Sequence, residues 1–207
     1  MQRSLLLVLL ALALPMAAFA SSSVDYTNSG GKLSGTTAGL TLSGSELIAV
    51  NGFDSLGLVT GNLGTLTFST AALNPGGSLQ MGGTFGTAGM SSGSFVITSN
   101  GTGGLPSGIL FNGSFSGVVT WTLVTLANGT HNYTLSGSLT GTTIDGSTVN
   151  GATIQLTINT GKGFFNGSTR ISSGDTNTSV VPEPGSLTLL GTGLVGLAGV
   201  LRHKLKA

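Results

Sequence analysis

Residues Val118–Leu139 read VVTWTLVTLANGTHNYTLSGSL, two alternating apolar runs on either side of Asn128-Gly129. A period of two marks a strand with one face buried. Asn-Gly supplies two residues that tolerate positive φ, as a type I′ hairpin turn requires. A two-residue loop sets Val124 opposite Tyr133 and Thr122 opposite Leu135. One face of the predicted hairpin then carries Val118, Val124, Leu126, Tyr133, Leu135 and Leu139, and the other carries Trp121 and Leu123. Such a hairpin is covered on both sides.

The same pattern runs outward in both directions. Leu40 and Leu42 flank Thr41, and Leu47 to Val50 ends at Asn51-Gly52. Leu66 and Phe68 alternate with Thr65, Thr67 and Ser69. Asn74-Pro75-Gly76-Gly77 is a turn, after which Leu79 with Met81 and Phe95 with Ile97 keep the period. Ala152, Ile154, Leu156 and Ile158 form a further half-buried strand. Asn-Gly recurs at Asn51, Asn100, Asn112, Asn128, Asn150 and Asn166, with Asp145-Gly146 as a relative. Many short strands punctuated by turns predict an all-β fold, an antiparallel β-sandwich. A β-solenoid is the alternative, because Phe-Asn-Gly-Ser occurs at Phe111–Ser114 and at Phe165–Ser168. The polar stretch from Ser21 to Gly31 reads as an exposed lead-in.

Composition narrows the function classes. Residues 21–181 form one Gly/Ser/Thr-rich domain with Lys32, Lys162 and Arg170 against Asp25, Glu46, Asp54, Asp145 and Asp175, a net charge of −2. So few cations exclude nucleic acid as a partner, since its affinity rests on phosphate contacts. There is no Cys, which removes disulfides and thiolate metal sites together. The acids are scattered singly, and neither a metal nor another cofactor is expected.

The two ends carry signals of another kind. Arg3, the Leu-rich run Leu5–Leu14 and the small-residue end Ala18-Phe19-Ala20 make a secretory signal peptide, residues 1–20, with Ala18 and Ala20 setting the cleavage site. The Sec translocon and signal peptidase are the implied partners. At the other end stand Pro182-Glu183-Pro184, an uncharged run of seventeen residues from Gly185 to Leu201, and the cations Arg202, Lys204 and Lys206. Each Pro holds the residue before it extended. As a helix, 185–201 would span about 25 Å, slightly short of a ~30 Å hydrocarbon core, with Arg202, Lys204 and Lys206 as the cytoplasmic anchor.

That three-part tail, residues 182–207, resembles the PEP-CTERM sorting signal of exopolysaccharide-producing Gram-negative bacteria. The resemblance implies recognition of Pro182, Glu183 and Pro184 by a membrane-embedded exosortase, which cuts nearby and delivers the body to the cell surface. It assigns no chemistry to the body.

Motifs inside the body weigh little. Gly89-Met90-Ser91-Ser92-Gly93 matches the nucleophile elbow G-x-S-x-G, but a chance match is expected in so Gly- and Ser-rich a chain and no strand-to-helix turn accompanies it. His131, the one candidate base, reads as an exposed residue beside a hairpin turn. Gly191–Gly196 matches G-x-G-x-x-G inside the apolar tail, where no βαβ unit can form. Trp121, Tyr133, Phe111 and Phe165 read as core before they read as a sugar-stacking platform.

The expectation is an exported, non-catalytic cell-surface or matrix protein, held in the membrane by its tail and then processed, and associated with exopolysaccharide or biofilm. A secreted carbohydrate-active enzyme drawing two carboxylates from Glu46, Asp54, Asp145 or Asp175 is the alternative from another class. A self-assembling β-fibre subunit is a third.

Overall fold

The computed structural model describes residues 22–180, which form ten strands: β1 (Ser22–Thr36), β2 (Gly39–Asn51), β3 (Val59–Ser69), β4 (Gly83–Phe85), β5 (Ser91–Asn100), β6 (Ser107–Ser116), β7 (Val119–Thr125), β8 (His131–Thr143), β9 (Thr148–Asn159) and β10 (Ser168–Val180). The signal peptide, the tail helix 185–201 and the sorting and anchor residues of the sequence reading lie outside the described residues. Among the described residues no helix is long and apolar enough to cross a membrane.

The fold is an eight-stranded closed antiparallel barrel, and this corrects both the sandwich and the solenoid. Around the ring the order is β1, β2, β3, β5, β6, β8, β9, β10, so the ring strands follow one another in chain order with β4 and β7 passed over, and β10 returns beside β1. Alternation reports that one face of a strand is buried. It does not report whether the sheet that buries it closes on itself. Closure depends on β1, the stretch read as an exposed lead-in: Tyr26 and Asn28 point inward and are buried, while Asp25 faces out.

Two strands prolong the barrel wall on one side. The second half of β8 pairs with β6 and its first half with β7. The pair Phe115↔Leu139 and the pair Thr120↔Ser136 differ by a two-residue step in register, so β6 and β7 are one interrupted strand. In the same way β4 pairs with β7 beyond the start of β5.

The β7–β8 hairpin corrects the predicted register. Leu126 N–H donates to Thr130 O and Gly129 N–H to Leu126 O, which leaves Ala127, Asn128 and Gly129 as a three-residue loop with Gly129 at φ 80°. A three-residue loop shifts the pairing by one and turns every β7 side chain to the opposite face relative to β8. Leu123 therefore faces Tyr133 and Trp121 faces Leu135. Trp121, Tyr133, Leu135 and Leu139 go inward, and Val118, Val124 and Leu126 are exposed.

Side chains fill the interior, as expected for a barrel of eight strands. Phe68, Phe95, Phe111 and Phe115 pack edge-on or stacked from β3, β5 and β6 with ring centroids 5.7–6.2 Å apart. A second cluster joins Trp121 and Tyr133, stacked at 4.9 Å, to Phe165. The outward positions include Thr65, Thr122, Thr153 and Gln155, polar residues where a lipid-facing barrel carries an apolar band, with Ile109, Val118 and Val124 exposed among them.

The barrel has two unlike ends. One holds the β1–β2 turn, the start of β10 and a flap made of residues 72–86, in which Leu73 bridges to Phe85 and Ser78 to Gly82. At the flap's tip, Leu79 O accepts from Trp121 Nε1 at 2.9 Å and Gln80 O from the Tyr133 hydroxyl at 2.7 Å. Leu79 and Met81, read as a continuing strand, belong to this tip. The opposite end holds the β2–β3 and β8–β9 connections, the start of β1 and the finish of β10.

Candidate functional site

The seam between β1 and β10 brings together residues about 150 positions apart. Thr27 Oγ1 donates to Asp175 Oδ1 at 2.9 Å. The Asn177 side-chain amide donates to Asp25 and to Ser23 Oγ. These side chains stand on the outer face, where a groove of about 600 Å³ crosses β7, β8, β9, β10 and β1. Asp25, Asp175, Asn177, Gln155, Thr153, Thr120, Ser136 and Ser138 supply its polar lining, and Val118 its exposed apolar patch.

Why these strands make such a surface follows from the pleat. Ala152, Ile154, Leu156 and Ile158 fill the interior, so Thr153 and Gln155 between them must face out. On β8 the same alternation buries Leu135 and Leu139 and turns Ser136 and Ser138 outward. The groove contains carboxylate acceptors, amides and hydroxyls, and none of its lining residues is cationic. It can hydrogen-bond a polyhydroxylated ligand and repels a polyanion.

Of the acids considered from the sequence, only Asp175 reaches this site, and its neighbour there is Asp25, which sequence reasoning left out. No local signal links the two; only barrel closure does. Asp145 caps the β8–β9 turn, where bonds from the Thr143 hydroxyl and the Ser147 backbone N–H hold its carboxyl below the usual range. Asp54 lies in the 3₁₀ turn Phe53–Ser55, and Glu46 projects from β2. Among the described residues no group of three or more His, Cys, Asp or Glu could hold a metal ion.

The hydrolase motif finds no partner. Ser91 and Ser92 open β5 after a turn, with no helix following. His131 is buried, a correction to its exposed reading: its Nδ1 lies 3.0 Å from Thr125 Oγ1 and its ring stacks on Phe164 at 4.3 Å. Trp121, Tyr133, Phe111 and Phe165 are all buried core residues.

The comparisons address the tail. Residues 180–202 match the family model of the PEP-CTERM protein-sorting motif. That motif marks a protein exported and sorted to the surface by exosortase, with processing by that enzyme. No curated protein and no solved structure matches the chain.

Proposed function

We propose that the chain is a non-catalytic surface or matrix protein whose barrel associates with exopolysaccharide through its outer groove. The sorting motif supports the destination. The observation that carries the role of the body is the groove itself, a row of hydroxyls and amides from five strands with two carboxylates and no cation. Such a surface favours a neutral glycan over a uronate-rich one, because like charges across an interface cost affinity. In this reading residues 185–201 hold the protein in the membrane until Pro182-Glu183-Pro184 is processed, and the released body contributes to the biofilm.

Catalysis by Asp25 and Asp175 is the weaker reading. A glycosidase needs one carboxyl kept protonated by burial. Both of these side chains are exposed and accept hydrogen bonds from Asn177 and Thr27. Fibre assembly is weaker too, since closure pairs both edges of all eight ring strands.

The test is co-sedimentation of the purified protein with neutral and uronate-rich polysaccharides, with product analysis of the glycan. Binding of the neutral polymer, weakened by Gln155→Ala with Asn177→Ala and without cleavage, is the expected result. Turnover lost in Asp175→Asn would replace the proposal with an enzyme.

A further inference from the structure

At the other end of the barrel a cavity of about 520 Å³ lies between the flap and the loop that precedes β10. Its size is within the ~300–1,000 Å³ of small-molecule sites. Leu73 and Leu79 from the flap and Phe165 from the opposite rim give it apolar walls, and Ser78, Gln80 and Asn166 give it donors and acceptors. No ionisable residue lines it. An apolar surface edged by neutral hydrogen-bonding groups suits a compact ligand that is itself apolar on its faces and hydroxylated at its rim. A charged ligand would be desolvated there without a counter-charge.

We propose that this cavity binds one uncharged sugar ring, with the flap as its adjustable wall. The base of the flap is fixed by the pairing of β4 with β7 and by Leu73 N–H donating to Thr37 O; at its tip Trp121 holds Leu79 O and Tyr133 is the clasp. Its hydroxyl donates to Gln80 O on the flap and accepts from Phe165 N–H on the opposite rim at 3.0 Å. Widening the cavity breaks that link, and a bound ring restores contacts to both sides. Gly76 and Gly82, at φ 84° and 102°, flank the tip, so the turn there depends on residues without a Cβ. The cavity is separate from the outer groove and the inference does not rest on it.

Trp121 is the one tryptophan in the chain. It contacts both walls, through Leu79 O and through the Phe165 ring at 5.6 Å, so its fluorescence reports occupancy. The purified protein is titrated with neutral methyl pyranosides, with the matching uronates and with hexanol. A saturable change with a neutral pyranoside is expected, at least tenfold weaker with the uronate, weakened as much in Thr37→Phe, whose ring enters the cavity, and unchanged in Gln155→Ala. Should Thr37→Phe lose its strand circular dichroism, Asn166→Leu takes its place. No saturable response to any pyranoside, an equal response in the filled variant, or saturation by hexanol alone would overturn the proposal. Failure here leaves polymer binding by the groove intact, and loss of polymer binding alone leaves the cavity proposal standing.

Discussion

Gly174 on β10 lies flat against the side chain of Asn28 on β1, so close that a Cβ at Gly174 would stand 2.5 Å from Asn28 Oδ1. Asn28 is buried and its Nδ2 donates to Ser45 Oγ at 2.7 Å. The strand that closes the barrel therefore approaches β1 across a gap sized for glycine.

Gly174→Ala is expected to destabilise the barrel by about 1–3 kcal/mol, since neither the β10 backbone nor the bonded Asn28 can retreat freely. Adding Asn28→Ala should cost less than the sum of the two single changes, because the second substitution removes the atoms that the first one strikes. Urea unfolding of the four proteins measures the coupling, and strict additivity would show that the contact bears no strain.

Tyr26 predicts a response to alkali. Its hydroxyl is buried and makes no hydrogen bond of ordinary length, and the nearby Thr178 hydroxyl, which donates to Val24 O, offsets only part of the cost of burial. Burial pushes its pKa up to about 12 from 10. The folded state thus holds a proton that the unfolded state releases, and the resulting stability is whole below pH 10 and lost as pH rises through 12. That loss is about 2–3 kcal/mol. Tyr26→Phe should match the parent at neutral pH or exceed it and should flatten the decline above pH 10. Melting temperatures against pH decide the matter.

Tyr133→Phe keeps the ring stacked on Trp121 and deletes only the clasp, leaving Gln80 O and Phe165 N–H short of a partner. A cost of about 1–3 kcal/mol is expected, with greater quenching of Trp121 by acrylamide as the flap loosens. Unchanged quenching would mean that the flap is held by its own backbone bonds.

Replacing Pro182-Glu183-Pro184 by three alanines should leave the protein in the membrane fraction at full mature length in a host with exosortase. Immunoblots of membrane and culture supernatant check this, and a variant trimmed like its parent would place the recognised residues elsewhere in the matched segment 180–202.

What the sequence made legible was local. Leu66 with Phe68 and Ile154 with Leu156 fall inward as their alternation requires, and Gly52, Gly101 and Gly129 after Asn all take positive φ. The same dipeptide misleads in mid-strand. Gly113 pairs with Gly141 inside β6, where a Cβ would strike Thr140 O at 2.2 Å, and Gly151 lies within β9. Turn length was illegible because Asn128-Gly129 fits a two-residue and a three-residue loop alike, and one residue decides which face is buried. Closure and the presence of both Asp25 and Asp175 at the groove were illegible for a larger reason, as no periodicity records which distant strand a polar strand will meet. The destination was legible because a sorting tail is read by another protein as a linear string.

Ser22 and Val180 are the outermost residues of two strands that lie side by side, and both leave the barrel at the end away from the flap. A short linker could therefore join them and the chain be reopened at the exposed Asn128-Gly129 loop without unpairing any strand. Such a circular permutant would move the point of attachment to the opposite pole while keeping the groove and the cavity, and so separate what the barrel recognises from where it is tethered.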